Sequence, residues 1–202
     1  MKKIFFLLMI FLSLLSSQCS YSKTIKIPII YSKHVCATAY NNTVAQCDNS
    51  PDICAWGDRI TDKNRNKIVA VSRDLLSNLS RNTKIYYEHN GKIHKKIVLD
   101  KMSKYGRKGT NRRFKIENSI DILMSSRRKA LQFGRINKVI YWFGDYVELK
   151  DFDLPSINFK MYIDIHNRIV YINKLQNNRL KIINKILDDN NLNSNFVIIN
   201  NL

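Results

Sequence analysis

The chain has 202 residues, with 34 Lys+Arg against 16 Asp+Glu, a formal net charge of +18 and a hydrophobic content of 45%. That length allows one domain of ordinary size plus an extension. No apolar run approaches the ~20 residues of a spanning helix, so a chain that crosses the membrane through helices is excluded as a reading.

In chain order, Lys2 and Lys3 precede an almost wholly apolar stretch from Ile4 to Leu15, followed by Ser16, Ser17 and Gln18. This is the pattern of a secretory signal peptide over residues 1–22. Cleavage after Ser22 leaves a plain secreted protein, and cleavage before Cys19 leaves a lipid-anchored one. Gln18 is a poor fit for the small residue expected before a lipidated cysteine, and a single lipid anchors weakly. The expected location is the periplasm or cell envelope, with outer-membrane association in the lipid-anchored case. No spanning segment is expected in the mature chain.

Losing Lys2 and Lys3 leaves a charge of +16. On an exported protein such a field favours encounter with an anionic envelope surface. The abundance of Lys and Asn, as in "NKLQNNRLKIINKILDDNNLNSN", supplies the same charge without a partner. The signal peptide and the lack of any recognition motif disfavour nucleic acid.

"KIPIIYSKHVCATAY" reads as β-rich, and a turn-rich stretch then runs from Asn41 to Asn66. His34 and Cys36 share one strand face, where a free cysteine serves as a small core hydrophobe. Of the cysteines Cys36, Cys47 and Cys54, the first choice for a disulfide is Cys47 with Cys54, because "CDNSPDIC" carries turn residues and export favours pairing. "KIVAVSRD" is predicted as a strand ending on Asp74, and "DLLSNLS" as at most two helical turns.

"TKIYYEHNGKIHKKIVLD" is the clearest local signal, a hairpin turning at Asn90 and Gly91 whose second strand ends on Asp100. Residues 101–115 are cationic, contain two glycines and read as an exposed loop, either solvated or holding an anionic polymer. "ENSIDILMSS" places the carboxylate of Asp121 among apolar residues. "SSRRKALQFG" predicts a short helix with Ser125 near its N-cap and Gly134 just past its end. "INKVIYWF" follows as a strand.

Beyond it, "FKMYIDIHNRIVYI" reads as a hairpin turning at His166 and Asn167. "KLQNNRLKIINKILDD" spaces Leu175, Ile182, Ile183, Ile186 and Leu187 along one helical face. Residues 144–202 are therefore expected to be a supporting C-terminal extension. His34, His89, His94 and His166 lack ligand spacing and there is no Cys-x-x-Cys pair, so no metal or cofactor is expected.

"TAYNNTVAQCDNSPDICAWGDRI", "IVAVSRDLLSNLSRNTKIYY", "KKIVLDKMSK" and "NSIDILM", in that order, resemble the 3D domain, a family named for three aspartates and found in exported cell-wall proteins. The resemblance covers about Cys36 to Trp142 and implies a mainly β fold, a six-stranded double-psi β-barrel with short helices over residues 23–143. The barrel is related to the catalytic domain of the membrane-bound lytic transglycosylase A group, which implies cleavage of glycosidic bonds in peptidoglycan. Asp74, Asp100 and Asp121 match the three aspartates, and the third is the catalytic acid of the related enzymes.

After Asp100 those enzymes continue with a glycine-rich stretch, where this chain has the longer, basic "KMSKYGRKGTNRRFKIENS". Their groove-forming extra domain has no counterpart here. Trp56, Tyr40 and Tyr105 are candidates for contact with a sugar, because aromatic faces offer apolar area at little entropic cost. Asp121 needs a raised pKa to act as an acid, and the expected sources are desolvation by Ile120 and Ile122 and the charge of Asp100. The competing class is a non-catalytic module that binds cell-wall glycan.

Overall fold

A computed structural model describes residues 25–44, 47, 50–108, 112–149, 161–164, 169–171, 177–192 and 196–201. The expected signal peptide, Cys19 included, lies outside them. The strands are β1 (Ile25–Tyr40), β2 (Ile68–Val71), β3 (Lys84–His89), β4 (Lys92–Lys101), β5 (Tyr105–Lys108), β6 (Arg112–Lys115), β7 (Ser119–Leu123), β8 (Ile136–Leu149), β9 (Met161–Asp164), β10 (Ile169–Tyr171) and β11 (Phe196–Asn201).

Six of them close a mixed barrel in the order β1-β7-β2-β4-β3-β8, and β8 returns antiparallel to β1. The pairs β1–β7 and β2–β4 are parallel, while β2–β7, β3–β4 and β3–β8 are antiparallel. Mainly β, a closed six-stranded barrel with two short helices, is the class the sequence led us to expect.

Strict alternation along the strands explains why the barrel closes, since successive side chains point to opposite faces. Val35 and Ala37 of β1, Val69 and Val71 of β2, Ile85 and Tyr87 of β3, Ile120 and Ile122 of β7, and Ile140 and Trp142 of β8 form one buried interior. Their neighbours in sequence face outward and are covered in two places. Ile30, Tyr86 and Tyr141 pack under Ile182, Ile183, Ile186 and Leu187 of the helix Asn177–Asp189 and under Val197 and Ile199 of β11. Tyr40, Ile68, Ala70 and Leu123 pack under Cys54 and Ile60 of the excursion between β1 and β2.

The β3–β4 hairpin turns where expected, with positive φ at Asn90 (50°) and Gly91 (71°) and the Gly91 amide donating to Glu88 Oε1 at 2.5 Å. The helix Arg127–Phe133 begins one residue later than predicted: Ser126 is the N-cap and accepts from the Lys129 amide, and Gly134 closes the helix at φ 66°. β9 and β10 pair antiparallel, while the expected turn residues His166 and Asn167, like Leu175, lie outside the described residues.

Other expectations change. The strand expected to end on Asp74 ends at Val71, and Asp74 sits in the 3-10 turn Arg73–Leu75 beyond it. The basic segment expected as a loop forms the antiparallel ribbon β5–β6. β8 runs through residues 143 and 144 to Leu149, and β11 adds in parallel to β1, so the C-terminal segment extends the barrel sheet itself. No helix among the described residues is long and apolar enough to cross a membrane.

Candidate functional site

Register builds the site. Thr38 of β1 pairs with Asp121 of β7, Asp121 with Ala70 of β2, and Ala70 with Asp100 of β4. Laterally paired residues point to the same face of a sheet, so four adjacent strands present one outer row, Thr38, Asp121, Ala70 and Asp100.

Asp100 reaches that face through a bulge. Val69 pairs with Val98 and Ala70 with Asp100, which leaves Leu99 as an extra residue. Val98 is interior, Leu99 packs in the outer cluster, and Asp100 follows on the outer side as well. An inserted residue re-aims the next side chain in this way.

Asp121, Ala70 and Asp100 of this row floor a cleft of about 700 Å³ whose walls include Tyr40, Cys54, Arg73, Lys101 and Met102. One wall is the tight turn 52–60, closed by the bridge between Ile53 and Arg59, by the Cys54 amide donating to Asp58 O at 2.8 Å, and by Gly57 at φ 85°. Asp100 fastens that turn to the barrel. Its Oδ1 accepts from the amides of Ala55 at 2.8 Å and Lys101 at 2.9 Å, and its Oδ2 accepts from the Tyr40 hydroxyl at 2.9 Å. Burial, and then the Asp100 charge, pushes the Tyr40 phenol far above its ordinary range, so it remains a donor.

Asp121 is held differently. Its Oδ1 accepts from the Thr38 hydroxyl at 2.8 Å. Burial raises its pKa from 3.8 to about 6; the Thr38 hydrogen bond opposes that shift and the Asp100 charge adds to it. The expected source of desolvation needs correction, because Ile120 and Ile122 point into the barrel interior, away from the Asp121 carboxyl. On the carboxyl's own side lie Ala70, Tyr40, Cys54 and Ile60, which line the cleft with it.

Asp74, the first of the three aspartates, stands apart. Asp74 does not line the cleft, and its Oδ2 accepts from the Asn118 amide at 2.9 Å. Burial works to raise its pKa, but that hydrogen bond and one with Ser72 outweigh burial and hold it below 3.8. Asp74 thus fixes the left-handed Asn118 (φ 44°) that leads into β7.

Of the expected aromatic contacts, Tyr40 lines the cleft but is only 9% exposed and engaged with Asp100. Trp56 packs half-buried against the barrel interior with the Lys101 ammonium 5.0 Å from its ring centre, and Tyr105 is exposed on the ribbon. Neither lines the cleft. Asp58 forms a two-pronged pair with Arg81 at 2.6 and 3.0 Å.

Cys47 and Cys54 line the cleft together, and the structure joins neither of them, nor Cys36, in a disulfide. Burial, then the charge of Asp100, raises the Cys54 thiol to about 12. No group of three or more His, Cys, Asp or Glu among the described residues could hold a metal.

Thr38, Ala70, Arg73 and Lys101 were not singled out from the sequence. Alternation along β1 puts Thr38 on the face of Tyr40, but only the strand order brings that face to Asp121.

No family model matches the sequence. No curated protein matches it either. Among solved structures, the chain is similar to the Streptomyces papain inhibitor, with 18% identity over 60% of this chain and 94% of that one, at a TM-score of 0.34.

Proposed function

We propose that the protein is an exported, peptidoglycan-active enzyme of the lytic transglycosylase type, in which Asp121 serves as both acid and base. The observation that supports this most directly is the Asp121 carboxyl itself, set in the floor of an open cleft with its pKa raised to about 6 beside Asp100. Perturbed carboxyls in clefts are candidates for proton transfer. The resemblance of the aspartate-bearing segments to the 3D family supports the same reading.

In the reaction, protonated Asp121 gives its proton to the glycosidic oxygen as the bond to the anomeric carbon breaks. The resulting carboxylate takes the proton of the muramoyl C6 hydroxyl, whose oxygen closes an intramolecular anhydro ring. No water is consumed and the acid is regenerated. An internal nucleophile held in place has a high effective molarity, so one carboxyl suffices where hydrolysis normally uses two. Thr38 orients Asp121, while Asp100 supplies charge and shapes the cleft wall.

The test is mass spectrometry of soluble products after incubation with purified sacculi. Anhydro-muropeptides are expected, and reducing ends would instead indicate a two-carboxyl hydrolase. A second reading, a module that binds cell-wall glycan without cutting it, draws on Asp100, both of whose oxygens are already engaged by the protein. Retention on sacculi without release of products would favour that reading.

A further inference from the structure

The β5–β6 ribbon is built in a way that its own stability does not explain. Arg107 pairs directly with Arg113, and Lys108 with Arg112. Like charges directly opposite on a ribbon destabilise it. The register is instead pinned by Phe114 opposite Gly106, where the ring lies over the glycine and any Cβ would collide with it. An aromatic side chain covering a cross-strand glycine is a known stabilising device. Lys115 is paired with Glu117, and no ion pair among the described residues involves Arg113.

Each face of the ribbon carries one aromatic ring: Tyr105, 47% exposed, shares its face with the register positions 107 and 113, and Phe114, 40% exposed, shares its face with positions 108 and 112. The ribbon is also continuous with the cleft, since Ser103, just before β5, and Ile116, just after β6, both line it.

We propose that this ribbon is a binding site for the anionic groups of a glycan polymer, placed so that a chain lying along it runs into the cleft. Facing pairs of cations become favourable once an anion lies between them, and exposed rings suit the apolar faces of sugars. A glycan fits better than a duplex nucleic acid because exposed rings can stack on open sugar faces, whereas the bases of a duplex are already stacked on one another. This assignment deepens the proposed function and rests on it for the direction of the bound chain.

The probe is polygalacturonate, a linear anionic glycan, with neutral pullulan and duplex DNA as comparisons and titrations at ~0.05 M and ~1 M salt, where exposed charges go from weakly to strongly screened. The full chain is compared with a variant carrying Arg107→Gln, Lys108→Gln, Arg112→Gln and Arg113→Gln. Polygalacturonate affinity is expected to fall at least about ten-fold in the variant at low salt, with the difference vanishing at high salt. The melting temperature should be unchanged or higher, because the like-charged pairs are gone.

Equal affinity in the two proteins, equal binding of pullulan, or tighter binding of DNA than of polygalacturonate would each overturn the assignment. Cleavage of sacculi is read separately. Absence of products together with ribbon-dependent binding would sink the enzymatic reading alone, and cleavage without ribbon-dependent binding would sink the ribbon alone.

Discussion

Asp100 and Asp121 lie in one row on the outer face of the barrel, two strands apart, with only the methyl group of Ala70 between them. Two strand spacings set their backbones roughly 9–10 Å apart. Both side chains reach into the cleft above Ala70. Asp100 is tied down by three hydrogen bonds and Asp121 by the one from Thr38, so the two carboxyls have different freedom to exchange a proton.

Replacing Asp121 by Asn keeps the shape of the side chain but removes the proton that the proposed reaction transfers. Release of products from sacculi is expected to fall at least ~100-fold. The wild-type rate should decline as pH rises through about 6, where the acid form of Asp121 is lost. Activity in Asp121→Asn equal to wild type would refute the assignment.

The same substitution has a signature in stability. The folded chain holds the Asp121 proton up to about 6, against an ordinary value of 3.8. Its charged form is therefore the one that burial disfavours, and stability is highest below the unfolded value and falls as pH rises through the folded one. Asp121→Asn should be more stable than wild type at about pH 8, by up to about 3 kcal/mol, and no more stable at about pH 3. Denaturant titrations at the two pH values check this.

Asp100→Asn keeps an oxygen for the Ala55 and Lys101 amides, and the Tyr40 hydroxyl can turn to accept from the new amide. It removes a charge that raises the pKa of Asp121. The expected result is a folded protein in which the rate of the proposed cleavage declines at lower pH than in wild type, with a smaller loss of maximal rate than in Asp121→Asn. A full pH–rate profile separates this from a general loss of activity.

Asp74 has a different sign. Its pKa is depressed, so the stability it contributes is present above the unfolded value near 3.8 and is lost as pH falls through the lower, folded value. Asp74→Ala removes the acceptor for the Asn118 amide and is expected to cost about 1 kcal/mol near neutral pH. The position of the pH–rate profile should stay where it is, and a displaced profile would place Asp74 in the chemistry after all.

For the cysteines, thiol labelling of the reduced protein at about pH 8 should leave Cys54 until last, because a thiol raised to about 12 has a thiolate share on the order of 10⁻⁴. In protein folded under oxidising conditions, non-reducing peptide maps are expected to link Cys47 with Cys54 and leave Cys36 free. A bridge from Cys36 would overturn that pairing.

Local chemistry made several elements readable in advance. Asn90 and Gly91 supply positive φ angles and Gly134 closes a helix, but β1 turns Val35 and Ala37 inward and leaves Cys36, expected as a core residue, on the other face and only partly buried. Asp100 and Asp121 could be singled out because each is an acid at a distinctive place in a strand. Their neighbours could not. Ile120 and Ile122 are adjacent to Asp121 in sequence and opposite to it in space, while Ala70 and Thr38 touch its row only because β2 and β1 flank β7. The ribbon was hidden because its strands carry like charges where cross-strand pairing favours opposite ones.

Leu99 makes the second carboxyl of the cleft a matter of counting. Val98 of β4 lies in the barrel interior, and beyond Leu99 the even-numbered Asp100 and Met102 serve the outer face. The strand thus changes phase once, just before the residue whose direction matters. Without the bulge, Leu99 would pair with Ala70 and Asp100 with Val71, which turns the acid toward the barrel interior, where a carboxylate has no compensation. A slip of one residue in pairing, with every side chain intact, is enough to give this barrel its paired carboxyls or to take them away.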